Sequence, residues 1–151
     1  MQHRFEQQAE IDPSDPLVVV QAASQTGAVP ELMAYLDRYQ ATQPGMIPVK
    51  TPERLVMVKV ATIILVDIQA TTLLLYTTTG VVETREPLRH LVQRVANPDF
   101  VQVSRHSVLN LDHLLSLEDS FSGNMTALLT NKVKTDVSRK YVKLLMRRLG
   151  V

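Results

Sequence analysis

Short runs of apolar residues, separated by turn-forming residues, recur along most of the chain. From residue 47 onwards the runs are rich in β-branched side chains, which favour pleated, half-buried strands. The pattern predicts strands over 47–50, 55–60, 63–68, 73–77, 81–84, 100–103, 114–117, 125–130 and 132–137. This part of the chain is therefore expected to be mainly β, and α+β when its helices are included.

Two helices are predicted between and after these strands. Pro87 suits a first helical turn, and four apolar residues that follow it have the i, i+3, i+4, i+7 spacing of one helix face. Asn97 and Pro98 end this helix. Near the end of the chain, Ser138 is the expected N-cap of a short helix, which Gly150 can close in the left-handed conformation.

The first 46 residues have a different pattern. Residues 1–16 are polar, Leu17–Ala23 has the composition of a buried strand, and the apolar residues after Pro30 recur at helical spacing. Such a β–α unit is too small to bury a core by itself, so it should dock on the rest of the protein or on a second subunit. We therefore expect residues 1–46 to form a dimerisation or regulatory segment and residues 47–151 to form one domain.

Composition removes several classes of chemistry. The chain has no Cys, which excludes disulfides, thiolate nucleophiles and Cys-bound zinc. Its five Gly are too widely spaced for a phosphate-binding glycine loop. The most apolar region, Val60 to Leu75, contains Asp67 and Gln69 and is shorter than the ~20 residues that span a bilayer. No apolar core follows a basic N-terminus, so no secretory signal is expected and the protein should be soluble and cytoplasmic.

Charge is unevenly distributed along the chain. Residues 1–47 contain six acidic and two basic residues, a net charge of −4, whereas residues 48–151 contain fourteen basic and nine acidic residues, a net charge of +5. Seven of these basic residues lie between Lys132 and Arg148, where Asp136 is the only acid. The surplus is expected either to form a face that meets a polyanion or to be an ordinary solvated helix face.

Candidate catalytic groups are few. Ser104, His106 and Asp112 lie close in sequence, but a triad depends on geometry, and no Gly-x-Ser-x-Gly turn presents a serine. His106, His113 and Asp112 could be metal ligands, although surface or core histidines are the better interpretation. We therefore expect no enzymatic activity, no metal, no cofactor and no small-molecule substrate. A small hydrolase that uses His106 is the least favoured hypothesis.

The composition also limits the modes of nucleic-acid binding. Only 5% of the residues are aromatic and Trp is absent, so a base-stacking platform has few candidates. A helix-turn-helix needs two adjacent helices, whereas the predicted helices are separated by strands. What remains is duplex binding in which loops and strand ends supply Arg, Asn and Thr side chains.

Two segments resemble the hallmarks of the LytTR family of bacterial DNA-binding domains. Residues 100–114, FVQVSRHSVLNLDHL, are similar to the family pattern FVR(I/V)(H/S)(R/K)Sx(L/I)VNxxxI. Residues 137–141, VSRKY, match the family's VSRxY at the start of the final helix. The strand–loop–strand of residues 63–80 and the helix of residues 84–95 are also similar, so the resemblance covers residues 47–150.

The resemblance implies small antiparallel sheets lying side by side, with loops that enter successive major grooves from one side of the duplex and bend it. Carried over by position, the base-reading residues are Thr71 and Thr72 in the first loop, Asn110 in the second and Arg139 in the third. These three turns are therefore expected to protrude along a single edge of the β framework.

Other positions complete the predicted DNA-contacting set. Arg105 and Lys140 match basic positions that the family places near phosphates, and Lys143 of the basic tail is expected to contact phosphate as well. His106 stands where the family usually has Ser, and Gln102 replaces the usual Arg. The first loop lacks the common Gly-Asn pair. These departures concern the preferred base sequence more than the activity itself.

The two central residues also have structural interpretations. Asn110 could simply satisfy backbone groups at a strand end. Arg139 could stabilise the last helix or pair with Asp136. An Arg in a first turn opposes the helix dipole, however, and its placement is better explained if it faces an anion.

The leading hypothesis is a bacterial transcription regulator that binds double-stranded DNA as a homodimer over two repeated promoter half-sites. A receiver domain does not fit before residue 47, so the chain resembles stand-alone LytTR regulators. For these, control by a membrane-protein partner is expected rather than phosphorylation. The alternative is a protein-interaction module whose acidic front unit and apolar β–α surface bind a partner, with DNA binding incidental.

Overall fold

The computed structural model describes residues 1–13, 15–39 and 45–151. The chain divides into two compact units, Met1–Thr42 and Gln43–Val151. In the described ranges, no helix has both the length and the apolar composition that a membrane crossing requires.

The first unit contains one helix in its described part, α1 (Val29–Arg38). Pro30 occupies the first turn, and Glu31 places a carboxylate near the N-terminus, where the helix dipole is positive. The strand predicted over Leu17–Ala23 is wrong, because these residues form no secondary structure and the Leu17 side chain is 70% exposed. A strand needs a neighbouring strand to pair its N–H and C=O groups, and the described part of this unit supplies none.

The described part of the second unit is built mainly from strands. In chain order they are β1 (Met46–Lys50), β2 (Leu55–Lys59), β3 (Ile63–Gln69), β4 (Thr72–Thr77), β5 (Gly80–Thr84), β6 (Phe100–Gln102), β7 (Ser107–Asn110), β8 (Leu114–Asp119), β9 (Met125–Leu129) and β10 (Lys134–Val137). Two helices, α2 (Leu88–Val95) and α3 (Arg139–Arg148), accompany them. Short 3-10 turns occupy Val60–Thr62, Leu111–His113, Phe121–Gly123 and Thr130–Lys132.

The strands form three small antiparallel sheets. β1 and β2 make a hairpin, β8, β9 and β10 make a three-stranded sheet with β9 in the centre, and the remaining strands form a five-stranded sheet in the order β5-β4-β3-β7-β6. Each strand of the last sheet pairs antiparallel with its neighbours. The predicted architecture, mainly β with small antiparallel sheets and short helices, is confirmed.

The five-stranded sheet is buried on both faces. Val108 of β7 belongs to one hydrophobic cluster, which includes Leu91 of α2, whereas its neighbour Leu109 belongs to a second cluster, which includes Leu145 of α3. Because successive side chains of a strand point to opposite faces, the two clusters lie on the two faces of the sheet. Each helix thus covers one face and fixes the strands beneath it.

The apolar pattern did not predict β7. All four of its residues are buried, but only the two in the middle are apolar, which is too few for a periodic signal. The strand predicted over 132–137 begins later, at Lys134, because Asn131 and Lys132 have positive φ angles and form a turn.

Candidate nucleic-acid interface

Two connections lie side by side at one end of the five-stranded sheet. In the β3–β7 pair, Asp67 lies opposite Ser107, and the amide of Ile68 donates to the carbonyl oxygen of His106 over 2.8 Å. The end of β3 therefore lies beside the beginning of β7. This places the β3–β4 turn next to the β6–β7 turn.

Helix α3 begins at the same place. The amide of Ser138 donates to the carbonyl oxygen of Val103 over 2.8 Å, which joins the end of β10 to the end of β6. Arg139, the first residue of α3, consequently lies near the β6–β7 turn. We call these neighbouring connections the turn edge, and the predicted DNA-contacting residues on it are Thr71, Thr72, Arg105, His106, Arg139 and Lys140.

Most of these side chains are available to a ligand. Thr72 is half-buried, and it is the first residue of β4, paired with Gln69 of β3. The other five predicted residues of the turn edge are exposed. In the described part of the chain, the guanidinium groups of Arg105 and Arg139 make no ion pair and no hydrogen bond. The predicted alternative in which Arg139 pairs with Asp136 is therefore not formed. Two exposed cations on adjacent connections suit an anionic partner.

Asn110 does not belong to the turn edge. It lies opposite Phe100 at the other end of β7, and only 1% of the residue is exposed. Its Nδ2 donates to the carbonyl oxygen of Ile63 over 2.9 Å, and its Oδ1 accepts from the amide of Asp112 over 3.1 Å. The expectation that Asn110 protrudes from a turn is wrong. Its side chain satisfies backbone groups at a strand end, and contact with a base would break both bonds.

A polar cluster orients His106 in the β6–β7 turn. Its Nδ1 lies 3.1 Å from Oγ of Ser104, 3.0 Å from Oγ of Ser107 and 3.2 Å from Oδ1 of Asp67. The hydroxyl of Ser107 in turn donates to Asp67 over 2.5 Å. All of these contacts use Nδ1, and the side chain is 62% exposed. The ring is thus held through Nδ1, while Nε2 makes no hydrogen bond in the described ranges.

The same geometry does not form a catalytic triad. In a triad, the serine and the acid bind opposite ring nitrogens of the histidine, whereas Ser104 and Asp67 both contact Nδ1 of His106. Asp112 lies beyond the far end of β7, and His113 uses both ring nitrogens in hydrogen bonds to neighbouring connections. In the described ranges, no three potential metal-ligating side chains cluster. The arrangement therefore supports neither hydrolysis by His106 nor the metal site considered for the two histidines.

The β8–β9 turn is a part of this site that sequence reasoning missed. Oδ1 of Asn124 accepts a hydrogen bond from the amide of Arg139 over 2.8 Å and satisfies one of the unpaired N–H groups of the first turn of α3. Ser138 is the N-cap residue, as predicted, but its side chain makes no capping hydrogen bond. The acceptor comes from a residue fifteen positions earlier, and no local pattern reveals such a contact.

The basic residues of α3 divide between two roles. Arg148 donates from Nη2 to the carbonyl oxygen of Pro98 over 2.8 Å and so fastens the end of the helix to the residues before β6. Lys140 and Lys143 are exposed near the start of the helix. Unlike Arg148, these two lysines remain candidates for contact with phosphate.

Comparison with known proteins identifies the family. The family model of the LytTr DNA-binding domain matches residues 53–150. The sensory transduction protein LytR of Staphylococcus epidermidis is 27% identical over 122 residues, which cover 81% of this chain and 48% of that protein. The transcriptional regulatory protein LytR of Staphylococcus aureus is 27% identical over 105 residues, which cover 70% of this chain and 43% of that protein. The chain thus spans less than half the length of these relatives.

A solved structure shares the fold. A LytTr DNA-binding domain from Bacillus cereus superposes with a TM-score of 0.64 at 13% sequence identity, and the match covers 72% of this chain and 99% of that domain. The family match extends over more than half of the chain and includes every connection of the turn edge. The chain therefore belongs to the LytTR family of DNA-binding domains.

Proposed function

We propose that this protein is a transcription regulator that binds specific sequences of duplex DNA through the turn edge. The observation that carries the proposal is the exposure of Arg105 and Arg139 on adjacent connections, with neither guanidinium engaged by an acid in the described ranges. A free guanidinium can donate two parallel hydrogen bonds to a guanine edge or to a phosphate.

The position of Arg139 supports a facing anion. A cation in the first turn of a helix is repelled by the positive end of the helix dipole, so this placement is unfavourable in the isolated protein. A phosphate or an electronegative base edge at the same place would interact favourably with both the guanidinium and the dipole. We therefore assign Arg139 to direct contact with the duplex.

In the second turn, Arg105 and His106 replace Asn110 as the proposed readers. Both are exposed, and the contacts of Nδ1 with Asp67 fix the orientation of the imidazole. Nε2 of His106 can donate to or accept from a base edge, depending on its protonation. Thr71 and Thr72 in the first turn, and Lys140 and Lys143 on α3, would add contacts to phosphate and to neighbouring bases.

We further propose that the regulator is a homodimer on two repeated half-sites, with the first unit as its dimerisation segment. In support, none of the buried hydrophobic residues in the described chain belongs to that unit, and Leu17, Val18 and Val19 are at least 58% exposed. Their burial against another surface would be stabilising. Insertion into successive major grooves, DNA bending, control by a membrane protein and a cytoplasmic location stay predictions from the resemblance.

A protein-interaction module with incidental DNA binding is the second candidate. The exposed apolar residues of the first unit support this candidate as much as they support the homodimer, because they could bind a different protein instead of a second copy. The two candidates differ in what the turn edge does. In the second candidate, base identity should not affect binding.

Selection of bound sequences from random duplex DNA tests the proposal. The full chain should enrich one motif, and Arg139→Ala should bind that motif about 1–3 kcal/mol less tightly. Lys59→Ala is a suitable control, because Lys59 is exposed and lies at the end of β2. The short turn after it leads to the beginning of β3, whereas the turn edge is at the other end of β3. Equal, weak binding to all duplexes would instead support the interaction module.

A further inference from the structure

The turn edge continues beyond the β3–β4 turn. In the β4–β5 pair, Leu73 near the start of β4 lies opposite Thr84 at the end of β5. β5 therefore ends at the same edge of the sheet, and the next residue is Arg85. The hydroxyl of Thr84 donates to the carbonyl oxygen of Lys50 over 2.7 Å, which brings the end of β1 to the same place.

Arg85 and Lys50 are exposed positive charges without a partner. Neither side chain makes an ion pair or a hydrogen bond in the described ranges. The adjacent acid, Glu86, is already occupied, because it accepts hydrogen bonds from Nε and Nη2 of Arg94 at 2.7 and 2.8 Å. Nδ1 of His90 lies 2.7 Å from the same carboxylate. Glu86 therefore leaves the charge of Arg85 uncompensated.

Strand spacing gives the distance between the two ends of the turn edge. The sheet order places β5 and β6 four steps apart, and neighbouring strands lie about 4.8 Å apart, so the ends of these strands are separated by about 19 Å. Arg139 follows Ser138, whose amide bonds to Val103 at the end of β6, so about 19 Å also approximates the separation between Arg85 and Arg139. Phosphates follow one another at ~3.4 Å of helix axis along each DNA strand. A duplex lying along the edge would therefore reach Arg85 about six base pairs from the base pair next to Arg139.

We propose that Arg85 and Lys50 form a phosphate-binding site that holds the DNA backbone outside the bases read by the turn edge. The inference rests on the proposed function, since it needs a duplex lying along the turn edge. A guanidinium and an ammonium side by side suit a phosphate, with the guanidinium donating in pairs and the ammonium acting as a point charge. Contacts of this kind fix register and add affinity without reading sequence.

An acidic protein segment is a different polyanion that these charges could bind. Pro48 and Leu55 line a groove together with Lys50 and Arg85, and such apolar walls would suit a peptide. DNA is favoured because the two cations lie at the same end of the sheet as Arg105 and on the continuation of its edge.

The test compares charge-removing variants of the full chain on the selected duplex. Wild type, Arg85→Gln, Lys50→Gln and the control Lys59→Gln are titrated by fluorescence anisotropy at several salt concentrations. Arg85→Gln should weaken binding about tenfold, as expected for one charge-assisted hydrogen-bonded contact. It should also reduce the slope of log affinity against log salt by about one. Lys59→Gln should change neither quantity, and Lys50→Gln should act in the same direction as Arg85→Gln.

A shortened duplex gives an independent readout. Removing the flanking base pairs should weaken wild type at least as much as Arg85→Gln does on the long duplex, and should not weaken further a variant that carries both Arg85→Gln and Lys50→Gln. If Arg85→Gln and Lys50→Gln match Lys59→Gln while Arg139→Ala binds more weakly, the inference is overturned and the proposed function stands. A wild type that prefers no duplex overturns both. Urea unfolding of each variant establishes that its affinity is that of folded protein.

Discussion

Gly123 packs directly against the aliphatic part of Arg139. A methyl group on Gly123 would lie 2.9 Å from Cδ and 3.2 Å from Cγ of Arg139, closer than ordinary carbon contacts allow. Gly123 also has a φ of +80°, in the region that favours glycine. A side chain at position 123 in the β8–β9 turn would therefore displace the stem of Arg139.

Gly123→Ala should reduce both stability and DNA affinity. The unfavourable φ should lower the free energy of unfolding by about 1–3 kcal/mol, and displacement of Arg139 should weaken binding to the selected duplex by about 1 kcal/mol or more. Gly80→Ala is the matched control, because Gly80 has a φ of +144° but its added methyl would meet open space. Urea unfolding and anisotropy titration measure the two effects. Equal DNA affinity of both variants would show that Gly123 does not direct Arg139.

Asn124→Ala should destabilise the protein by about 1 kcal/mol, because it leaves the amide of Arg139 without its acceptor. Asn124→Asp keeps an acceptor oxygen and should retain most of the stability. Urea unfolding at neutral pH compares the three proteins. If the Ala and Asp variants unfold at the same urea concentration, the side chain of residue 124 does not cap α3.

Asn110→Ala should lower stability without changing DNA affinity, and Arg139→Ala should lower DNA affinity without changing stability. Removing the Asn110 side chain leaves the buried carbonyl of Ile63 and the part-buried amide of Asp112 without this partner, so stability should fall by about 2 kcal/mol. DNA affinity per folded molecule should not change. Arg139→Ala should change stability by no more than about 0.5 kcal/mol, because the residue is exposed and its guanidinium makes no hydrogen bond or ion pair in the described ranges, and it should lose DNA affinity. Loss of sequence preference in a folded Asn110→Ala protein would contradict this division.

Glu86 should contribute to acid sensitivity. Hydrogen bonds from Arg94 are the main cause that lowers the pKa of Glu86, against the opposing effect of burial. A lowered pKa in the folded state means that the stabilisation is present above the ordinary pKa of 4.5 and is lost as pH falls through the folded value. Glu86→Gln should therefore be less stable than wild type at pH 7, and the difference should shrink below pH ~4.5. Urea unfolding between pH 7 and 3 checks this, with Glu83→Gln as an exposed control.

A change of Leu17 and Val19 to Asp should convert dimers to monomers. Both residues are at least 67% exposed in the first unit, and charges there would oppose burial in a dimer interface. Sedimentation velocity measures the oligomeric state, and binding to a single half-site should survive. Val81→Asp changes a residue of β5 that is 54% exposed and should leave the dimer intact. A double variant that stays dimeric would place the interface elsewhere.

Much of the fold could be predicted from local pattern, because most strands are runs of β-branched residues between turn residues. One predicted strand is wrong and one strand was not predicted, in both cases for reasons that lie outside any local window. Leu17–Ala23 has the composition of a strand but no partner strand in the described part of its unit. Ser107–Asn110 has half the apolar residues of a typical buried strand and is a strand because β3 and β6 lie on both sides of it.

The site was predictable only in part. The hallmark in residues 100–114 marks the right segment, yet it does not show which of its polar residues face outwards. Arg105 and Asn110 are five positions apart, and the four residues of β7 place them at opposite ends of the strand. The support of Arg139 by the β8–β9 turn depends on the pairing of β9 with β10, which sets Met125 opposite Val137. Such long-range pairing leaves no signature near either residue.

The hydrogen bond from the amide of Ser138 to the carbonyl of Val103 uses only main-chain atoms. The same is true of the bond between Ile68 and His106, so neither bond requires a particular side chain at the exposed positions of these turns. Exposed residues such as Thr71 and Arg105 can therefore be exchanged while both main-chain bonds are kept. Exchanging these exposed turn residues between members of the family should therefore change the DNA sequence that each member prefers.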